Sequence, residues 1–119
     1  KLTNNILLLG YKKNIFPYLK KAKGFILSSL WEDPGFVLIE AAFCRLPVFS
    51  SDAKPGPNEI IKNNLNGTTF KNNDKNSFLK NFDNYLKNSE NSKIVLENLK
   101  LSRKFSIFNH YKDLSSYLV

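Results

Sequence analysis

Glu32 and Glu40 stand in a Glu-x7-Glu pattern around a Pro34-Gly35 turn, and this is where the chain is best equipped for chemistry. The stretch Ser28-Ser29-Leu30-Trp31-Glu32-Asp33-Pro34-Gly35-Phe36-Val37-Leu38-Ile39-Glu40 reads as a loop, a turn and the start of a helix. The N–H groups of Gly35, Phe36 and Val37 lie in the first turn, where no carbonyl of the same helix can take them. The helix dipole adds positive character there, so a diphosphate could sit on these amides without a metal. Glu40 follows roughly 6 Å further along the axis, at 1.5 Å per residue. Helical side chains lean back toward the N-terminus, which returns its carboxylate to the same mouth. There it could accept from vicinal hydroxyls such as those of a ribose. Glu32, on the loop before the turn, would face the sugar side. Carboxylates repel a bare phosphate, so the ligand implied has both phosphate and hydroxyl groups, as a nucleotide-sugar does.

The elements that must position these residues alternate in the α/β manner. Asn5 to Leu9 reads as a short apolar strand ended by Gly10. Ile15 to Ala22 reads as a helix with Ile15, Tyr18, Leu19 and Ala22 on one face. Gly24 to Leu27 is the next strand, Gly35 to Cys44 a helix, and Pro47 to Ser50 a third strand. A Pro/Gly-rich loop, Ser51 to Pro57, precedes a short helix at Asn58 to Ile61. Asn66-Gly67 turns the chain into a small strand, Thr68 to Phe70. From Lys75 the pattern is helical, with Phe78, Leu79, Phe82, Tyr85 and Leu86 recurring at helical spacing. Further helices are expected at Lys93 to Lys104 and Ile107 to Leu118. Strands separated by helices predict a parallel sheet with right-handed crossovers, a Rossmann-like three-layer α/β/α arrangement that binds ligands at the carboxyl ends of its strands.

Several segments in register now carry a resemblance: Glu32 to Glu40, then Ala41-Ala42, Leu46-Pro47-Val48-Phe49-Ser50 and Gly56-Pro57-Asn58-Glu59-Ile60. Together they resemble the C-terminal, donor-binding domain of family 4 retaining glycosyltransferases of the GT-B fold. Many members have Gly-Phe-Gly after the first glutamate, where this chain has Asp33-Pro34-Gly35; the spacing and the last glycine are kept. The resemblance implies a nucleotide-diphosphate-sugar donor and a glycan or lipid-linked acceptor held by an N-terminal domain. It also implies front-side displacement, and a place in bacterial surface polysaccharide synthesis, capsule or lipopolysaccharide. Glu32 would be the catalytic acid residue holding sugar hydroxyls. Glu40, the amides of Gly35, Phe36 and Val37, and Gly56 on the cleft border would bind the donor. The resemblance implies neither cofactor nor metal. Such a domain begins with an earlier strand and helix carrying basic residues, so residues 1–119 are expected to be one truncated domain.

Composition bounds the alternatives. At 119 residues, 42% hydrophobic and 13% aromatic, the chain can bury a modest single core. No apolar run is long enough to span a bilayer, and the single Cys44 cannot form an internal disulfide, which fits a cytoplasmic setting. Cys44 is expected to be a small core residue, and the lone His110 a surface or packing residue with no metal partner nearby. The net charge of +8 would suit phosphate backbones or anionic bilayers. The lysines are scattered among asparagines rather than striped, and no zinc-finger or RNP-like motif occurs, so nucleic acid is not expected as a partner. Loose attraction to the inner face of a membrane is.

Plainer readings stand beside these. Glu32 could be a solvated loop acid, Glu40 an ion-paired helix residue, Glu59 a first-turn acid favoured by the dipole, and Lys54 one surface lysine among many. Trp31 is expected to pack rather than to stack on a base, and Phe36 to Ile39 to make core contacts. Two rival functions are a GT-B-type nucleotide-sugar epimerase and a non-catalytic nucleotide- or phosphate-binding domain.

Overall fold

The computed structural model describes residues 5–117. Three strands, β1 (Phe25–Leu27), β2 (Val48–Ser51) and β3 (Thr68–Phe70), form a parallel sheet in the order β1-β2-β3. Phe25 pairs with Val48, and Phe49 with Thr68. Parallel pairing demands crossovers, which helices α2 (Phe36–Phe43) and α3 (Gly56–Ile60) supply. Before them stands α1 (Phe16–Leu19), and α4 (Lys75–Asn88), α5 (Ser92–Lys104) and α6 (Ile107–Ser115) complete the order.

Strand β2 is central and all four of its residues are buried. Its side chains alternate between two cores, as a period of two requires. Val48 joins Leu38, Ile39, Ala41, Leu46, Ile60 and Ile61 beneath α2 and α3, with Leu101 of α5 against them. Phe49 points the other way, into Phe70, Phe78, Phe82 and Tyr85 under α4. This is the three-layer α/β/α arrangement expected. On α4 only the Phe78, Phe82 and Tyr85 stripe faces in, while Leu79 and Leu86 are exposed. The helix starts on Asp74, whose carboxylate accepts from the Ser77 N–H at 2.9 Å.

Helix α2 ends in a Schellman arrangement without glycine. Arg45 takes φ 59° and donates its N–H to the Ala42 carbonyl at 2.9 Å, and Leu46 donates to Ala41 at 3.1 Å. Leu46 then leads directly into β2. Cys44, at the end of α2, is half-buried against the core, as its small apolar character suggested.

Four expectations need correction. Asn5 to Leu9 is not a strand: Ile6, Leu7 and Leu8 lie exposed and no described residue pairs with them. An apolar run becomes a strand only by finding a ladder partner, and among the described residues β1 keeps an open edge. Helix α1 is one turn long; of its proposed inner face, Leu19 is buried and Ile15 half-buried, whereas Tyr18 and Ala22 face solvent. Helix α3 begins at Gly56, two residues early, because Pro57 suits a first turn where its missing N–H costs nothing. Trp31 and Phe36 do not pack: they are 69% and 64% exposed. Of the Phe36 to Ile39 run, only Leu38 and Ile39 are fully buried. Helix α5 starts one residue before its expected span and α6 starts where expected but ends at Ser115, with Ser116 and Tyr117 in a turn, while Leu118 lies outside the described residues.

Candidate functional site

The site is built where the chain leaves β1 and enters α2. Gly35 caps α2 with φ 83° and ψ 44°, a left-handed conformation that glycine adopts without steric cost. A Cβ there would lie 3.2 Å from Cγ of Glu32, so the absent side chain also makes room for the acid. Leu38 N–H turns back to the Gly35 carbonyl at 2.9 Å. Among the described residues the N–H groups of Gly35, Phe36 and Val37 have no acceptor. They are therefore free to receive an anion at the positive end of the helix.

Glu32 is held at both ends. Its carbonyl accepts the Gly56 N–H at 3.0 Å, and it bridges to Pro55. Its carboxylate accepts from the Ser29 hydroxyl through Oε2 at 3.0 Å. The residue is half-buried, and Oε1 has no partner among the described residues. Glu40 sits one turn into α2, half-buried, with neither hydrogen bond nor ion pair to its carboxylate among the described residues. The ion-paired reading of Glu40 has no partner to rest on here.

Gly56 locks the second loop against the first. A Cβ on it would come within 2.8 Å of the Pro34 Cα and closer still to the Pro34 carbonyl, so only glycine allows the approach. Its N–H is already engaged by Glu32, which leaves it a spacing role at the mouth rather than a donor's. Lys54 is exposed in the same loop, and Glu59 is exposed in the first turn of α3. From behind, Asn72 braces the acid loop by donating its side-chain amide to the Leu30 carbonyl, while its own N–H donates to Asp52 at 2.6 Å.

Two residues near the mouth come from far along the chain. Lys104 and His110 line a cleft of about 520 Å³ together with Phe36, Phe105, Ile107 and Asp113. Local spacing gives no hint of this neighbourhood, which α5 and α6 create by returning to the start of α2. A different groove, lined by Arg45, Ser92, Val95, Leu96 and Leu99, lies at the opposite end of α2. No group of three or more His, Cys, Asp or Glu side chains is arranged to hold a metal among the described residues.

Both the sequence and the fold match known proteins. A family model described as "Glycosyl transferases group 1" matches residues 1–101. The chain is 49% identical over 65 residues to the uncharacterized glycosyltransferase MJ1059 of Methanocaldococcus jannaschii, covering 55% of this chain and 16% of that protein. It is 36% identical over 78 residues to an Escherichia coli enzyme named UDP-Gal:alpha-D-GlcNAc-diphosphoundecaprenol alpha-1,3-galactosyltransferase, covering 66% of this chain and 20% of that one. The fold superposes on Anabaena HepE, crystallised with UDP, at a TM-score of 0.84 and 19% identity, over 98% of this chain and 33% of HepE. The chain thus spans a fifth or less of the length of these two relatives. With the family model matched over residues 1–101 and the fold shared with GT-B enzymes, the chain belongs to the glycosyl transferases group 1 family.

Proposed function

We propose that this domain holds the nucleotide-diphosphate-sugar donor of a retaining glycosyltransferase. One observation carries the reading: among the described residues three amides at the start of α2 have no acceptor, and Glu32, beside Gly35, and Glu40, one turn further on, each keep an open acceptor oxygen. The amides of Gly35, Phe36 and Val37 take the diphosphate, Glu40 accepts from the ribose hydroxyls, and Glu32 accepts from sugar hydroxyls through Oε1. Gly56 holds the two loops close enough to form the cleft. In front-side displacement, the acceptor oxygen attacks the anomeric carbon on the face the leaving group departs from. The acceptor proton passes to the departing phosphate oxygen. No side chain acts as a covalent nucleophile, so the protein contributes placement and charge stabilisation.

The acceptor is a glycan or lipid-linked saccharide of a bacterial surface polysaccharide, a reading supported by the diphosphoundecaprenol-linked acceptor in the name of the E. coli relative. The net charge of +8 suits peripheral attachment to the cytoplasmic face of an anionic bilayer, and among the described residues no helix is long and apolar enough to cross one.

The test is Glu40→Gln in the full-length transferase that carries this domain. The substitution keeps size and helix propensity but removes the charge that strengthens hydrogen bonds. We expect kcat/KM for the donor to fall about ten- to a hundredfold, corresponding to roughly 1.5–3 kcal/mol. A 2′,3′-dideoxy donor should be nearly insensitive to the change. Intact donor affinity with a fold destabilised by several kcal/mol would make Glu40 a structural residue and remove the main support. Retention is checked separately, by the anomeric configuration of the product.

A further inference from the structure

We infer that Ser29 is a positioning residue that orients Glu32 toward the donor sugar, with Ser51 anchoring it to the sheet. The inference rests on the sugar-facing role proposed for Glu32. Ser29 donates its hydroxyl to Oε2 of Glu32 at 3.0 Å. The Ser29 carbonyl in turn accepts the Ser51 hydroxyl at 2.8 Å. Ser51 is the last residue of the central strand and is 1% exposed. The chain of bonds therefore runs from the buried central strand, through two serines, to one oxygen of a carboxylate.

A glutamate has three side-chain torsions, and leaving them free would cost binding energy each time a donor arrived. One bond reduces that freedom here: Ser29 fixes the terminal torsion by holding Oε2. The carbonyl of Glu32 is pinned as well, by the Gly56 N–H. Among the described residues Oε1 has no partner, and with Oε2 held it is the oxygen left to accept from the donor. Ser29 touches no reacting atom in this scheme; it acts through Glu32. A serine suits the task because its hydroxyl donates to the ionised acid and adds no charge of its own.

The experiment compares Ser29→Ala, Ser29→Thr and Glu32→Ala with the unmodified full-length transferase. The donors are UDP-glucose, UDP-galactose and UDP-N-acetylglucosamine, of which the one turned over fastest is used for all variants. Inhibition by free UDP serves as a probe with no sugar. Ser29→Ala should lower kcat/KM for the UDP-sugar about tenfold, the size expected for one lost bond to a charged group. The inhibition constant of UDP should not move, since the amides and Glu40 are untouched. Ser29→Thr keeps the hydroxyl and should recover most of the loss. A merely structural serine would weaken UDP and UDP-sugar alike, and that result overturns the inference. If Glu32→Ala cripples transfer while Ser29→Ala does not, the inference fails and the role of Glu32 stands. If Glu32→Ala itself leaves kcat/KM unchanged, the role of Glu32 fails and this inference goes with it.

Discussion

Gly35 meets two separate demands for the absence of a side chain. Its φ of 83° favours glycine, and the space a Cβ would fill lies 3.2 Å from Cγ of Glu32 and 3.5 Å from Leu38 Cδ1. Gly35→Ala should cost about 1–2 kcal/mol in denaturant unfolding, from placing an alanine in the left-handed region. Asparagine tolerates that region better, so Gly35→Asn should recover part of the stability. Neither variant should recover donor recognition, because both place a Cβ against Glu32 and tilt its carboxylate. A Gly35→Asn enzyme with full activity would show that the glycine serves backbone conformation alone. The turn at Gly35, between Glu32 and the start of α2, was legible in the residues, because a Pro-Gly pair ahead of a helical run marks one. The Ser29 bond to Glu32 was not, although the two residues are only three apart. Loop conformation decides which side chains meet there, and no periodicity governs it. The exposure of Trp31 and Phe36 was equally hidden, since an aromatic beside a turn reads as core until the neighbouring elements are in place.

The elements that matter most to the site are two loops and the starts of two helices, interlocked through Gly56. Its N–H reaches Glu32 and its Cα rests on Pro34, so α3 fixes the loop that feeds α2. The far end of α3 is secured in turn by Asn66, whose side chain donates to the Ile60 carbonyl at 3.1 Å and accepts from the Lys62 N–H at 2.7 Å. The atoms that Gly56→Ala would strike, the Pro34 carbonyl and Cα, are all backbone, which cannot swing aside. The variant should lose about 1–3 kcal/mol, the usual range for forced overpacking. It should also weaken donor binding, although Gly56 itself has no free N–H to offer. Unchanged thermal stability in Gly56→Ala would mean that the loops can separate at no cost and that the interlock is dispensable. Parallel strands and the long amphipathic helices were readable because burial imposes periods of two and 3.6 on them. Asn5 to Leu9 misled for the complementary reason: hydrophobicity records that a segment wants a partner, and not whether one is paired with it. The early start of α3 had a usable signal in Pro57, which fits a first helical turn as well as it fits a loop.

Across the whole molecule, the sheet divides two unlike cores. One face is aliphatic, beneath α2 and α3, and is continuous with the elements of the site. The other is aromatic: Phe49 lies 4.7 Å from the Phe70 ring, 5.1 Å from Phe78 and 5.2 Å from Tyr85, measured between centroids. Phe49 and Ser51 lie on the same strand, so loosening the aromatic face would carry through β2 to the anchor of the acid loop. Tyr85 gives that face a pH limit. Burial pushes its phenol above the ordinary value of 10.0, with a backbone hydrogen bond at Phe25 opposing part of the shift. In the unfolded chain the phenol loses its proton near pH 10, whereas in the folded protein it does so only at higher pH. The stabilisation is thus fully present below the unfolded value and is lost as pH rises through the folded one. Tyr85→Phe removes the titration together with the hydroxyl's contacts to the Phe25 backbone and, at a long 3.5 Å, to the Pro47 carbonyl. The difference in urea midpoint between wild type and Tyr85→Phe should stay constant from about pH 7 to about pH 9, then move in favour of the phenylalanine variant above about pH 10. A difference that remained flat across the alkaline range would mean that the phenol ionises equally well folded and unfolded, and that the aromatic face admits water at Tyr85.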